Sequence, residues 1–210
     1  MKVGRLVMSV CQTNCYFIYH DTDEAEKEVV FIDPGDKGKQ INDALKQKGF
    51  RVGAILLTHG HFDHIMGIDQ FETEYGKLPV YVHEGDKETM VDPVLNQSSV
   101  YTNGYTYANA ELIHEGQVLS IAGFDFKVIH TPGHTPGGAC YYLEDEKVLF
   151  SGDTLFQRSV GRTDFVNSST SDLLRGIKEK LFVLPDDVLV YPGHMGETKI
   201  GYEKEHNMYV

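Results

Sequence analysis

Sheets covered on the outside by helices, an α/β layering, are predicted by three observations. Short apolar runs of strand length recur along the chain, some follow one another in hairpin order, and others are separated by segments of helical spacing. The 210 residues fit one domain spanning 1–210, against a prior of about 100–200 residues per domain. Hydrophobic residues at 41% and charged residues at 24% are enough to build and cover a core, which excludes disorder, collagen and coiled coil.

From the N-terminus, Tyr16-Phe17-Ile18-Tyr19 and Val29-Val30-Phe31-Ile32 flank the charged stretch Asp21 to Glu28, the pattern of a β-hairpin with a solvated turn. It closes at Asp33-Pro34-Gly35. Ile41 to Lys48 carries apolar residues at helical spacing and stops at Gly49, a C-cap. Ala54-Ile55-Leu56-Leu57 reads as a buried strand, Ile65 to Tyr75 as the helix after it, and Val80-Tyr81-Val82 as a short strand. From Glu84 to Gly116 the chain turns polar and tyrosine-rich, the texture of a long, partly irregular excursion with the character of a lid. Four strands follow around Val118–Ile121, Phe126–Ile129, Ala139–Tyr142 and Val148–Phe150, then a helix from Asp172 to Phe182 and a last strand at Val188–Tyr191.

The formal net charge of −12 repels polyphosphate backbones, and no basic cluster interrupts it, so no nucleic-acid partner is expected. No apolar run approaches the roughly 18 residues of a membrane span, and Met1 to Val10 lacks a secretory hydrophobic stretch. A cytoplasmic protein with no membrane partner is the expectation. Cys11, Cys15 and Cys140 match neither a zinc knuckle nor a disulfide scaffold and are expected as reduced, half-buried thiols without a nucleophilic role.

The chemistry sits where strands end. Ile-Leu-Leu runs into Thr58-His59-Gly60-His61-Phe62-Asp63-His64, Lys-Val-Ile into His130-Thr131-Pro132-Gly133-His134, Val-Leu-Phe into Ser151-Gly152-Asp153, and Leu-Val-Tyr into Pro192-Gly193-His194. Loops at strand C-termini are where α/β sheets place their sites, so these residues are candidates for one cluster. With ten His in the chain, H-x-H-x-D-H arises by chance in on the order of one such chain in 600, so coincidence is set aside. Imidazole and carboxylate are good ligands for zinc, iron or manganese, and a tight loop can aim alternate side chains at two adjacent ions.

In this order the motifs T-H-x-H-x-D-H-x-x-G, T-P-G-H-T-P-G, S-G-D-T-L-F and Y-P-G-H resemble the metallo-β-lactamase superfamily, and in detail glyoxalase II and its short single-domain relatives. The resemblance implies a four-layer αββα sandwich with the site at one edge. It implies that His59, His61 and His134 hold one metal and Asp63, His64 and His194 a second, with Asp153 bridging and Asp33 supporting the site from behind. Two divalent ions follow, zinc first, iron or manganese as alternatives. The chain ends sixteen residues after His194, so the C-terminal helical domain by which full glyoxalase II binds glutathione is not expected. Gly161-Arg162-Thr163-Asp164-Phe165 also resembles persulfide dioxygenases, which hold a single iron on residues matching His59, His134 and Asp153.

The resulting expectation is a metal-dependent hydrolase whose hydroxide nucleophile attacks small acyl-thioesters of the S-lactoylglutathione type, with Asp63 both ligand and hydrogen-bond acceptor. A thiol of pKa about 8.5 leaves without a strong acid, which favours thioester over lactam. A persulfide dioxygenase and a lactone or ester hydrolase are the alternatives. Arg162 is the candidate receiver of a substrate carboxylate, against the alternative that it pairs with Asp164; Tyr101, Tyr105 and Tyr107 either line a cleft or pack the excursion onto the sheet.

Overall fold

In the computed structural model, which describes residues 1–8, 10–21, 27–36 and 38–210, the hairpin forms as β2 (Asn14–Tyr19) and β3 (Lys27–Ile32), antiparallel with Tyr16 opposite Ile32. Residues 22–26 of its expected solvated turn lie outside the described residues. A strand that the sequence pattern did not flag, β1 (Lys2–Val7), lies along β2; its mixed partly exposed residues give no clean alternation to read. Helix α1 (Gly38–Gln47) then crosses over to β4 (Phe50–Leu56), parallel to β3.

The helix expected from Ile65 to Tyr75 is two helices, α2 (Phe62–Ile65) and α3 (Ile68–Tyr75), interrupted at Gly67. The Gly67 N–H bonds the Pro34 carbonyl at 2.8 Å, and a Cβ there would stand 2.3 Å from that oxygen, so this close approach requires glycine. β5 (Val80–His83) and β6 (Glu111–Ile113) complete the first sheet in the order β1-β2-β3-β4-β5-β6.

The excursion is less irregular than expected: a 3₁₀ turn at Glu84–Asp86, α4 (Lys87–Val91), α5 (Ser98–Tyr101) and β6 all lie within it. It is also tied down. Asn96 is buried and gives its side-chain N–H to the Tyr105 carbonyl at 2.7 Å, and its own carbonyl accepts from Phe62 N at 2.9 Å.

β7 (Val118–Ile121), β8 (Phe124–His130), β9 (Ala139–Leu143) and β10 (Val148–Gly152) form an antiparallel meander, followed by the small ribbon β11 (Leu155–Phe156) and β12 (Ser159–Val160). Helix α6 (Thr170–Gly176) is capped by the Ser169 hydroxyl, which accepts from Asp172 N, and passes into a π turn, Ile177–Leu181. It crosses to β13 (Leu189–Pro192), parallel to β10, and β14 (Thr198–Lys199) and α7 (Ile200–His206) end the chain. The second sheet runs β14-β13-β10-β9-β8-β7.

Three cores make the layers. Phe31, Ile55, Ile65 and Phe71 pack the first sheet against α1 and α3. Tyr16, Ile18, Leu56, Phe126, Tyr141 and Phe150 fill the space between the sheets. Leu149, Leu173, Ile177 and Ile200 seat the C-terminal helices on the second sheet. β2, β3 and β4 are buried on both faces because each contributes to two of these cores, as do β9 and β10, which explains their continuous apolar runs. Phe150 is fully buried between the sheets, and its truncation to Ala is expected to cost about 3–5 kcal/mol. The layering is αββα, and β4, β8, β10 and β13 all end at one edge of it. Among the described residues no helix is long and apolar enough to cross a membrane.

Candidate metal centre

All seven residues expected as ligands meet at that edge. His59 and His61 follow β4, and Asp63 and His64 stand in α2, so one short loop supplies four of them. His134, Asp153 and His194 arrive from the ends of β8, β10 and β13. Three groups of ligand atoms, each mutually within 4.8 Å, result: His59 with His61 and His134; His59 with His64 and Asp153; and Asp63 with His64 and His194.

The first triad brings three ring nitrogens together without enough protons to bond them. His61 Nδ1 is 3.1 Å from His59 Nε2 and 2.9 Å from His134 Nε2. The outer nitrogens fix which atoms face inward. His59 Nδ1 lies 3.1 Å from the Thr58 hydroxyl, which itself donates to Asp33 Oδ2 at 2.7 Å and so accepts from the imidazole. His134 Nδ1 donates to the Arg162 carbonyl at 2.8 Å. The inward Nε2 atoms of both are therefore lone pairs, and a cation between them and His61 Nδ1 satisfies all three. Burial, then the neighbouring imidazoles, pushes His59 and His61 well below the ordinary histidine range, which keeps them neutral and ready to coordinate.

The second triad is mixed. His194 Nε2 and His64 Nε2 are each 3.6 Å from Asp63 Oδ2, whose position is set by the Thr13 hydroxyl donating at 2.5 Å. His64 Nδ1 is backed by Asp33 Oδ2 at 3.0 Å, which is where the D-P-G aspartate comes to lie. Burial alone would lower His64, but Asp63, Asp33 and Asp153 outweigh it and hold it up at about 10. So much negative charge is what a metal ion would neutralise. Asp153 stands between the triads, with Oδ2 3.4 Å from His134 Nε2 and 3.4 Å from His194 Nε2, and Oδ1 3.6 Å from His64 Nε2. Burial would raise its carboxyl, yet the imidazoles of His194, His64 and His134 keep it well below the usual range. His64 Nε2 and Asp153 Oδ1 are buried with no hydrogen-bond partner among the described residues, a cost that metal coordination removes. The donor set and these orphaned atoms fit two divalent ions.

Several residues support the ligands without having been assigned a role from the sequence, although Thr58 and Gly193 stand in the ligand motifs themselves. Thr13 and Thr58 orient Asp63 and His59 through hydroxyls, and Asn14 anchors the His194 loop by donating to the Pro192 and Met195 carbonyls at 2.9 and 3.0 Å. Gly193 passes so close that a Cβ would sit 2.3 Å from Asp153 Oδ1. Asp86, wholly buried, accepts from Gly60 N, Gly137 N and the Thr135 hydroxyl, each at 2.8 Å, and so joins the His59–His61 loop to the His134 loop.

An open cleft of roughly 370 Å³ lies over the triads. Arg162 lines it, but its guanidinium spends both Nε and a terminal nitrogen on Asp164, at 2.9 and 2.8 Å, so the alternative reading of Arg162 is the one the structure displays. Of the three tyrosines only Tyr101 reaches the cleft; Tyr105 and Tyr107 pack against the core between the first sheet and its helices, and the Tyr107 hydroxyl donates to Glu72 at 2.9 Å. His83 and His130 stand apart, stacked at 3.8 Å. Cys15 and Cys140 are fully buried and Cys11 is exposed at the cleft, so none is half-buried as expected. Burial, Asp63 and Asp153 push the Cys11 thiol up to about 11, which keeps it protonated.

A His/Asp metal-binding cluster at one edge of a two-sheet αββα sandwich defines the class. The metallo-beta-lactamase superfamily model matches residues 8–194, and the chain belongs to that superfamily, whose members here include metallo-hydrolases. It is 38% identical over 212 residues to the probable metallo-hydrolase YqgX of Bacillus subtilis, covering 100% of this chain and 98% of that one. Against the hydroxyacylglutathione hydrolase GloC of Haemophilus influenzae it is 33% identical, with 100% and 98% covered. Among solved structures it is similar to the BLEG-1 B3 metallo-beta-lactamase, with 39% identity, TM-score 0.90 and 99% of each chain covered. TTHA1623 in a di-iron-bound form gives 32%, 0.85, and 99% and 100%. ETHE1 from Myxococcus xanthus gives 29%, 0.77, and 99% and 84%.

Proposed function

We propose that this metallo-hydrolase uses two divalent ions, zinc or iron, to hydrolyse small acyl-thioesters of the hydroxyacylglutathione type. The observation that carries the reading is the pair of triads meeting at Asp153, with four ligands from one loop and three from separate strand ends. His59, His61 and His134 would hold one ion, Asp63, His64 and His194 the other, and Asp153 would touch both. When bound, the ions would supply Lewis acidity, lowering the pKa of water towards about 7 and polarising the carbonyl under attack.

The chain's own groups do the rest. Asp63, with Oδ2 fixed by Thr13, offers a carboxylate that can orient water and take its proton, while Asp153 can accept a hydrogen bond from the same water. Asp33 behind His64 and the Arg162 carbonyl behind His134 prevent those rings from turning away. The leaving thiolate needs no proton donor, since its conjugate acid has a pKa of about 8.5. The full-length similarity to GloC supports a thioester. The similarity to ETHE1, together with Phe165 of the G-R-T-D-F segment packing against His61 and His134 at 4.9 and 5.5 Å, favours a one-iron persulfide dioxygenase as the second reading.

Elemental analysis of the isolated protein, coupled to turnover assays, separates them. Two ions per chain and hydrolysis of S-lactoylglutathione or a simpler thioester are expected. One iron per chain, with oxygen uptake and sulfite formed from glutathione persulfide, would move the protein to the dioxygenases. Two ions with turnover of lactones or β-lactams but of no thioester would retain the centre and reject the substrate.

A further inference from the structure

The walls of the cleft are aromatic. Phe62 and Tyr101 lie face to face, centroids 5.1 Å apart and planes within 10°. Phe165 stands edge-on to His61 on the side of the first triad, and Phe156 edge-on to His194, 5.9 Å away, on the side of the second. Tyr101 keeps 57% of its surface exposed, a large flat face turned to solvent beside the candidate ligands. Exposed aromatic surface in a concavity is where an apolar ligand group gains most by leaving water.

Basic side chains are correspondingly scarce. Among the described residues lining the cleft, Arg162 is the one Lys or Arg, and Asp164 neutralises it with two hydrogen bonds. Its guanidinium also lies over the Phe165 ring at 4.9 Å and hydrogen-bonds with the Tyr101 side chain, so two aromatic residues as well as Asp164 compete with an incoming anion. A substrate carboxylate would have to compete with Asp164 for the guanidinium and would enter a protein of net charge −12.

We propose that this cleft selects its substrate by an apolar, flat acyl group of the arylacetyl class, held against its aromatic wall at Tyr101 and Phe165, and disfavours acyl groups that carry a charge. The proposal rests on the thioester reading and names its substrate class. The ring of such an acyl group would stack in place of solvent on Tyr101 while its carbonyl reaches the triads.

The test uses the metal-loaded protein and one uncharged thiol, N-acetylcysteamine, carrying acetyl, phenylacetyl or succinyl groups. kcat/KM is expected to rise at least about tenfold from acetyl to phenylacetyl, chiefly through KM, and to fall for succinyl. In Tyr101→Ala, and separately in Phe165→Leu, the phenylacetyl advantage should shrink about tenfold with two ions still bound. Calorimetric binding of the non-hydrolysable thioether S-(2-phenylethyl)-N-acetylcysteamine should weaken in the same variants, which gives a readout independent of turnover. A succinyl preference, or a phenylacetyl-to-acetyl ratio and thioether affinity unmoved in both variants, overturns the proposal and leaves thioester hydrolysis standing. Thioether binding that depends on Tyr101, without turnover of any thioester, overturns the thioester reading and leaves the aromatic selection standing.

Discussion

The two sheets contribute to the metal centre in different ways. The first delivers four candidate ligands within six residues, on the loop and short helix that follow β4. The second delivers three, each alone at the end of a different strand. Each triad nevertheless mixes the two sources: His134 completes His59 and His61, while His194 completes Asp63 and His64. Neither sheet can bind an ion well by itself. Coordination by these triads would therefore fasten one sheet to the other, and metal affinity would become part of the free energy that keeps them packed.

The largest expected effect follows from Asp153, the second-sheet residue that faces both triads. Asp153→Asn keeps the size of the side chain and removes its charge. Metal content should fall below one ion per chain, and kcat/KM for the best substrate by on the order of 10³-fold or more. His61→Ala, on the first-sheet loop and in one triad, should cost one ion. Plasma emission spectrometry on both purified variants decides the contrast. If Asp153→Asn retains two ions, the residue does not join the triads, and the picture of a centre fastening the sheets together is lost.

How much of this could be read in the sequence differs along the same line. The first-sheet loop is a local motif, and a local motif is visible to inspection. Single ligands such as Asp153 and His194 became candidates because the chain repeats one device, an apolar strand running into Gly beside His or Asp. A histidine at a strand end is not by itself enough, since His83 and His130 also end strands and stack on each other away from the triads. Which histidines converge is a property of sheet order, which periodicity does not encode. The same holds for Thr13, fifty residues from the Asp63 it fixes, and for Asp86, which looks like any acidic residue at a helix start until its three 2.8 Å contacts are seen. The edge strands β1, β6 and β14 escaped notice because they are short or lack clean alternation. The break at Gly67 is a tertiary contact with Pro34 and leaves no helical signature.

Asp86 gives a sharper and smaller test of the link between the sheets. It grips Gly60 from the first-sheet loop and Thr135 and Gly137 from the second. Asp86→Ala would orphan two buried N–H groups, each costing about 1–3 kcal/mol, and would let the His59–His61 and His134 loops drift apart. Affinity at the first triad should drop about 10–100-fold, as for other residues that orient ligands, while the second triad, which Asp86 does not touch, keeps its ion. Competitive titration with a chromogenic chelator resolves the two sites. Equal weakening of both would show a general loss of fold, and circular dichroism on the same sample distinguishes that case. Unchanged affinity at the first site would show that its loops are held by something else.

The smallest effect is expected where the sheets meet through imidazoles without ligand geometry. His83 ends β5 and His130 ends β8, and their rings stack at 3.8 Å with planes within 12°. Burial first, and the His130 imidazole second, push His83 down to about 4, against weaker opposite pulls from Glu84 and Glu115; His114 adds to the lowering. The folded state therefore prefers neutral His83, whereas the unfolded chain protonates it near the ordinary value of 6.5. The sign follows: the contribution to stability is complete above 6.5 and is lost as pH falls through the window toward about 4. His83 Nδ1 also accepts from Gly85 N at 3.2 Å, and Asn at this position can replace that acceptor without titrating. Thermal unfolding of the chelator-treated parent and of His83→Asn, at about pH 7 and about pH 4.5, should show the parent losing about 1 kcal/mol more than the variant. Chelation removes metal release from the comparison, and protonation of the other histidines cancels between the two proteins. Equal losses would mean that His83 is already protonated, or opens to water, before the sheets separate, and that this contact does not contribute to the acid response.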